Sequence, residues 1–204
     1  KRILYSLKRY TRDNNRVLII TAKRYEYAEG IADRVFSIEN GRLTEIKNLS
    51  YTYPLIMERT VSACESTDTG EENIPLISFG NVTHRYSGSA GITGINISIN
   101  KGEITGIMGP NGAGKTTLLK HCIGLLRPKE GGVFYSGDDI KDIPVHRLAF
   151  KTGMLFQNPD DQIFNERADK EIAWGLTIRG VNKTIATQKA VNILDEFALK
   201  GIAG

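Results

Sequence analysis

One short segment restricts the fold of this chain more than any other feature of its sequence. Gly109-Pro-Asn-Gly-Ala-Gly-Lys-Thr116 matches the pattern G-x-x-x-x-G-K-[ST], in which glycines let successive backbone N–H groups turn towards one anion. An apolar strand pattern over residues 103–108 precedes the segment, and Thr117-Leu-Leu119 follows it as the start of a helix. A strand that enters a glycine-rich loop, which in turn opens a helix, is the context that phosphate binding requires.

The side chains of this loop suit the parts of a nucleoside triphosphate. Lys115 supplies a mobile positive charge for the outer phosphates, and the hydroxyl of Thr116 is a ligand that Mg²⁺ accepts. The sequence therefore predicts that the chain binds a nucleoside triphosphate through this loop. The predicted binding residues are Gly109, Pro110, Asn111, Gly112, Ala113, Gly114, Lys115, Thr116 and Thr117.

Composition excludes several other classes of protein. The chain has 204 residues, enough for one large domain or two small ones, and no apolar run approaches the ~20 residues that a membrane helix needs. Its two cysteines, Cys64 and Cys122, provide no disulfide framework. The net charge of +4 is too small to indicate nucleic acid by itself. We expect a cytosolic protein, and the missing initiator Met suggests a piece of a longer polypeptide.

An acidic stretch divides the chain in two. Residues 62–73 carry four acids and no base, with almost nothing apolar to bury, which is typical of a solvated linker. We therefore distinguish a front block (residues 1–47), a linker (48–74) and a back block (75–204).

Hydrophobic periodicity predicts the elements of the front block. Apolar residues from Ile3 to Tyr10 share one helical face, and residues 16–21 form the short apolar run of a buried parallel strand. Residues 24–32 have a helical pattern. The segments 34–39 and 42–46 are joined by Asn40-Gly41, which predicts a hairpin.

The back block combines strands and helices. We predict strands at 76–83, 95–99, 103–108 and 152–156, a hairpin over 132–139, and helices at about 114–124, 168–178 and 183–199.

Around the glycine-rich loop, the chain resembles the nucleotide-binding domains of ABC transporters. The resemblance implies an α/β fold, a P-loop NTPase (RecA-like) core with an antiparallel β subdomain, with ATP and Mg²⁺ as cofactors. It implies that Tyr86, in Val82-Thr-His-Arg-Tyr86, stacks on adenine. It also implies that Gln157 is the Q-loop glutamine, a catalytic residue together with Lys115 and a contact of Mg²⁺ together with Thr116.

The string from Phe156 to Gln162, Phe-Gln-Asn-Pro-Asp-Asp-Gln, is similar to that of energy-coupling-factor and cobalt-type importers. That similarity implies a subunit that energises import of a vitamin or a transition-metal ion. Its expected partners are transmembrane transporter subunits and a second nucleotide-binding domain, with no nucleic acid, at the cytoplasmic face of the cell membrane. Asp160 and Asp161 within the string are expected as turn residues.

The front block resembles the end of another copy of the same domain. Val17-Leu-Ile-Ile-Thr21 matches the strand before the family's switch histidine, and Thr21-Ala22-Lys23 stands where the family has Thr-His-Asp. The front block contains no histidine, so the resemblance implies that the two ATP sites of the parent protein are unequal. The strand at residues 17–21 could also complement the sheet of the back block.

A second segment imitates a catalytic motif. Ile193-Leu-Asp-Glu196 resembles a Walker B strand, but apolar residues from Ala190 to Ala198 recur at helical spacing, which predicts an amphipathic helix. The family's Leu-Ser-Gly-Gly-Gln signature is also absent. We therefore expect an incomplete second domain that is inactive alone.

Two alternative functions remain. One is a nucleotide-gated interaction module that binds ATP without hydrolysing it, favoured by the missing switch histidine and Walker B motif. The other is a soluble tandem ABC ATPase that acts on the ribosome. The remaining histidines His84 and His146 have no partner pattern, and we expect both at the surface.

Overall fold

The computed structural model describes residues 2–23, 30–47, 74–86, 91–197, 199 and 201. The front block contains helix α1 (Arg2–Asp13) and strands β1 (Leu18–Ala22), β2 (Arg34–Glu39) and β3 (Arg42–Glu45). The back block contains strands β4 (Ile77–Arg85), β5 (Gly91–Ile99), β6 (Ile104–Met108), β7 (Glu130–Tyr135) and β8 (Asp138–Asp139). Its helices are α2 (Lys115–Cys122), α3 (Val145–Ala149), α4 (Ala168–Thr177) and α5 (Lys183–Glu196).

The strand that enters the glycine-rich loop lies inside a sheet completed by the front block. This sheet has the order β1-β6-β2-β3, and β6 is parallel to both of its neighbours. All five residues of β6 are buried, as in a parallel sheet covered on both faces. The complementation suggested by the sequence for residues 17–21 is therefore present, and β2 takes the opposite side of β6.

Polar contacts fix the register between the two blocks. Asp33 donates its backbone N–H to the carbonyl of Ile104 at 2.7 Å, and its carboxylate accepts the N–H of Ile104 at 2.8 Å. Arg34 pairs with Glu45 at 2.8 Å and with the buried carboxylate of Glu103 at 3.4 Å. A buried carboxylate is costly without a partner, so these contacts specify which strand lies beside β6.

The second sheet is antiparallel and has the order β5-β4-β7-β8. Its inward residues join Phe36 and Ile38 of the front block and Ile107 and Leu118 of the back block in one hydrophobic core. The fold is thus the α/β architecture that the sequence predicts, a parallel core packed against an antiparallel β subdomain.

Most elements lie where the sequence places them, with shifted ends. The Asn40-Gly41 turn has φ values of +48° and +76°, as a two-residue hairpin requires. The helix over 24–32 falls largely on residues 24–29, which lie outside the described residues. The linker over 48–74 also lies outside them, apart from residue 74.

The strand predicted at 152–156 is wrong, because these residues are irregular. The side chain of Gln162 takes the place of a neighbouring strand: its amide donates to the carbonyl of Met154 at 2.7 Å and accepts from the N–H of Phe156 at 2.6 Å.

The segment that imitates a Walker B strand is the end of helix α5. Ala186, Ala190 and Leu194 are buried along one face, whereas Asp195 and Glu196 are exposed. The sequence prediction of an amphipathic helix is therefore confirmed for the described residues; Ala198 lies outside them.

We predict that the front block contributes directly to the stability of the phosphate-binding loop. Ile38 is fully buried, and Ile38→Ala should lower the free energy of unfolding by about 2–5 kcal/mol, the usual cost of such a core cavity. Urea denaturation followed by circular dichroism measures it. Ile185→Ala, an exposed position on α5, is the control and should change it by less than about 0.5 kcal/mol. Equal small effects would contradict a shared core.

Candidate functional site

The glycine-rich loop has the backbone that its sequence predicts. Gly109, Gly112 and Gly114 have φ values of +155°, +79° and +109°. A Cβ on Gly109 would lie 2.2 Å from the carbonyl oxygen of Ile38, and one on Gly114 would lie 2.7 Å from Ile92. Glycine is therefore required at both positions by contact with neighbouring strands as well as by the backbone angle.

Lys115 lies folded over this loop. Its Nζ donates to the carbonyls of Gly109 at 2.7 Å and Pro110 at 2.8 Å. Partial burial lowers the pKa of Lys115, and the nearby charge of Lys23 lowers it further. A cation held in this way by two carbonyl groups can turn to a stronger anionic partner at little cost.

Helix α2 begins directly at Lys115, with Gly114 as its N-cap. The first amides of a helix lack carbonyl partners one turn earlier, so they favour an anion at this end. Thr116 is exposed, whereas Thr117 is buried. Thr116 is thus the threonine whose side chain is accessible to a metal ion.

Most of the predicted site residues line one open cleft of about 1990 Å³. The predicted residues that line it are Tyr86, Asn111, Gly112, Gly114, Lys115, Thr116, Thr117 and Gln157. Gly109, Pro110 and Ala113 belong to the same loop but do not line the cleft. Residues far apart in the sequence are therefore brought to one surface.

Gln157 is exposed on the irregular segment that Gln162 pins in place. The next residues form a 3-10 turn, Pro159–Asp161, and the amide of Asn158 donates to the carboxylate of Asp161 at 3.1 Å. Asp160 and Asp161 are thus turn residues, as expected. Among the described residues, no group of acids, histidines and cysteines is arranged to hold a metal ion by itself.

Tyr86 stands at the end of a row of three aromatic rings. Its ring centroid is 5.0 Å from that of His84, which is 4.9 Å from that of His121 on α2. His84 is buried and its Nδ1 lies 3.1 Å from the carbonyl of Arg127, so the expectation that it is a surface residue is wrong. The two histidines connect Tyr86 to the helix that begins at Lys115.

Sequence reasoning did not assign the front-block residues to this cleft. Thr21, Ala22 and Lys23 line it beside the glycine-rich loop, because β1 runs parallel to β6 and ends at the same edge of the sheet. The sequence feature that could have indicated this placement is the apolar run 17–21, which is followed closely by Lys23.

A buried parallel strand, a glycine-rich loop with left-handed glycines, and a helix that begins at the loop lysine together define a P-loop nucleotide-binding core. Known proteins agree with this assignment. An ABC transporter family model matches residues 92–203, more than half of the sequence. The chain belongs to the ABC transporter family.

Two relatives carry the resemblance across both blocks. A Methanosarcina mazei protein named as an ABC transporter ATP-binding protein is 32% identical over 206 residues, which cover 98% of this chain and 41% of that protein. A Methanosarcina acetivorans protein with the same description is 35% identical over 188 residues, covering 88% of this chain and 36% of that protein. The chain therefore spans about two fifths of the length of these curated relatives.

A solved structure shares the fold. CbiO1 from Clostridium perfringens, described as part of the ABC transporter complex CbiONQ, matches with a TM-score of 0.56 and 26% sequence identity, covering 63% of this chain and 53% of that chain. In the part of the chain that the structure describes, no helix has the length and apolar character needed to cross a bilayer.

We predict that His121 makes the fold less stable in mild acid. Burial lowers the pKa of this ring, and its Nε2 is buried without a hydrogen-bond partner among the described residues. As pH falls through about 6.5, the unfolded chain takes up a proton that the folded state resists. The free energy of unfolding should therefore decrease between pH 7 and 5.5. His121→Leu should reduce this dependence, measured by urea denaturation at each pH, and an unchanged slope would contradict the prediction.

Proposed function

We propose that the chain is the nucleotide-binding part of an ABC-type ATPase subunit that binds ATP at the P-loop. The observation that carries the proposal is the pairing of Lys115 with a loop whose glycines at 109, 112 and 114 all have positive φ. Glycine-rich loops with such angles can turn N–H groups towards one anion, and the start of α2 adds further donors. Phosphates bound there would take the place of the two carbonyl partners of Lys115.

Mg²⁺ fits the same cleft. Thr116 and Gln157 are both exposed. Their hydroxyl and amide oxygens are hard ligands, and the remaining positions suit water and phosphate oxygens. When bound, the ion would neutralise charge on the transferring phosphate. Lys115 would orient the outer phosphates, and Gln157 would help to position the attacking water.

Tyr86 would supply the platform for adenine. It is 43% exposed at the rim of the cleft, and its ring makes an edge contact with that of His84. A half-exposed ring with a fixed orientation suits stacking on a base.

Several exposed apolar side chains support a protein partner next to the cleft. Leu155 and Phe164 are 78% and 75% exposed, and the ring of Phe164 packs on that of Trp174 at 5.2 Å. The side chain of Gln162 bonds to the backbone of Met154 and Phe156, on either side of Leu155. Glu171 accepts the N–H of Phe164 at 3.2 Å. Apolar surface of this kind marks interaction sites. We infer that it contacts transmembrane transporter subunits at the inner face of the membrane.

The arrangement of the parent protein is part of the same proposal. The alignment of 98% of this chain to 41% of a longer relative supports a fragment that joins the end of one nucleotide-binding domain, a linker and the start of a second. The importer class, for vitamins or transition-metal ions, rests on the Phe156–Gln162 string alone. The likeness to CbiO1, which is part of an ABC transporter complex, supports a transporter subunit.

One observation favours a module that binds ATP without turning it over. The end of β1 presents Ala22 and Lys23 to the cleft, and neither side chain can both donate and accept as an imidazole does. A steady-state ATPase assay of the full-length parent decides between the two: turnover that is lost with Lys115→Ala supports the enzyme.

We predict that Lys115 carries nucleotide binding. Mg-ATP should raise the melting temperature of this chain, because a ligand of the folded state shifts the unfolding equilibrium, and Lys115→Ala should abolish that rise. Lys189→Ala removes the same charge from an exposed position on α5 and should leave the rise intact. Equal rises in Lys115→Ala and the control would remove the P-loop from the proposal.

We predict that Tyr86 recognises the base by stacking alone. Tyr86→Ala should weaken ATP and GTP binding by a similar factor, about tenfold, because stacking discriminates poorly between purines. Tyr86→Phe, which keeps the ring, should bind both nucleotides like the wild type. Titration calorimetry measures the affinities, and a loss confined to ATP would show that hydrogen bonds read the base.

A further inference from the structure

The ring proposed as the base platform lies at the end of a strand. Tyr86 follows directly on β4, which ends at Arg85, and its side chain is 43% exposed. A side chain exposed to this extent can take several rotamers, and ordering it when a ligand binds costs free energy. A ring that already has a fixed orientation binds a base more tightly than a free one. The residues that fix Tyr86 therefore contribute to base affinity.

His84 is the ring in contact with Tyr86. The two ring centroids are 5.0 Å apart and the planes are inclined at 62°, an edge contact of the kind that aromatic pairs prefer. An edge contact occupies at most one face of the Tyr86 ring, so a face remains for a base. His84 is itself buried and does not line the cleft, so it acts on a bound nucleotide through its neighbours.

Two hydrogen bonds fix His84 and the next ring of the row, His121. Nδ1 of His84 lies 3.1 Å from the carbonyl of Arg127, and Nδ1 of His121 lies 3.0 Å from the carbonyl of Leu126. A carbonyl oxygen only accepts, so Nδ1 carries the proton in both rings. Neither ring can flip without losing its bond. The centroids of the two imidazoles are 4.9 Å apart, so each ring packs against the other.

Both ends of this arrangement are anchored in the fold. The guanidinium of Arg127 donates to the carbonyl of Ile143 at 2.8 Å and to that of Ile140. His121, at the far end of the row, is completely buried within helix α2. The orientation of the Tyr86 ring is therefore tied, through two imidazoles, to the helix that begins at the P-loop lysine.

We propose that His84 is a positioning residue for base binding, which holds the ring of Tyr86 in the orientation that stacks on a base without touching the nucleotide itself. The inference rests on the proposed function, since it requires a nucleotide with its base on Tyr86. A histidine that only filled the core would leave base affinity unchanged as long as the fold is intact. The two roles therefore differ in their effect on the base and on the phosphates.

The test compares ATP with inorganic tripolyphosphate, which has the phosphates but no base. Titration calorimetry on the complete chain with Mg²⁺ gives both dissociation constants for the wild type, His84→Leu and His84→Phe. Both variants lose the hydrogen bond to Arg127, and they differ because Phe keeps a ring beside Tyr86.

The ring should decide the outcome. His84→Leu should weaken ATP binding about threefold to tenfold, the effect of having to order one side chain when the ligand binds. His84→Phe should stay within about twofold of the wild type, because it preserves an aromatic contact. Neither variant should change the binding of tripolyphosphate.

A double-mutant cycle tests whether the effect passes through Tyr86. In a Tyr86→Ala protein there is no ring to position, so adding His84→Leu should change ATP binding by less than about twofold. His84→Asn, which keeps a donor for the carbonyl of Arg127 but has no ring, is a second ringless variant and should behave as His84→Leu. His146→Ala, the matched control, removes the same residue type from an exposed position on α3 and should leave both ligands unaffected.

The outcomes separate this inference from the proposed function. If the wild type binds neither ATP nor tripolyphosphate, both fail. If ATP binds and Tyr86→Ala does not weaken it, the base platform fails, and the role of His84 with it, while the P-loop assignment stands. If the ringless variants bind ATP no more weakly than His84→Phe, weaken both ligands equally, or keep their effect without Tyr86, the positioning role of His84 is refuted. Binding of tripolyphosphate by a variant also shows that its P-loop is folded.

Discussion

The structure depends on the need of β6 for two parallel neighbours. A buried strand without ladder partners leaves backbone N–H and carbonyl groups unpaired, at a cost of about 1–3 kcal/mol each. Here β1 and β2 supply those partners on the two sides of β6. The same two strands shape the start of the P-loop. The carbonyl oxygen of Ile38 on β2 leaves no room for a Cβ at Gly109, and the carbonyl of Ala22 on β1 accepts the N–H of Gly109. The geometry of the loop is set by strands more than sixty residues away.

Local patterns predicted the elements whose hydrogen bonds are local or whose burial is unambiguous. The Asn40-Gly41 hairpin, the helix after Lys115 and the amphipathic face of α5 are of this kind. The predicted strand at 152–156 failed because a strand exists only with a neighbour, and Gln162 satisfies that backbone instead. The burial of His84 was also missed, since it depends on the carbonyl of Arg127, which the chain brings near only after folding.

Only the part of the candidate site that lies in recognisable sequence motifs could be predicted. The P-loop residues, Tyr86 and Gln157 were predicted because each sits in a recognisable string, and the structure places Tyr86 and Gln157 in the cleft that Lys115 lines. Lys23 was not assigned to this site, because its place depends on the register in which β1 pairs with β6. The backbone hydrogen bonds from Leu18 to the carbonyl of Glu103 and from Gly109 to the carbonyl of Ala22 set that register, and they are not visible from periodicity. The pairing of β1 with β6 therefore adds front-block residues to the cleft, although the P-loop motif itself is unchanged.

The charges of the cleft separate binding from chemistry. Six cations and one carboxylate line its described part, which favours a polyanion but supplies little basicity to activate a water molecule. Asp161, the carboxylate concerned, is engaged with Asn158 in a turn. We infer that the residues described hold and orient a triphosphate, whereas proton transfer depends on groups beyond them. Affinity can thus be high where turnover is low, because phosphate contacts stabilise the bound ground state and rate requires interactions that strengthen in the transition state.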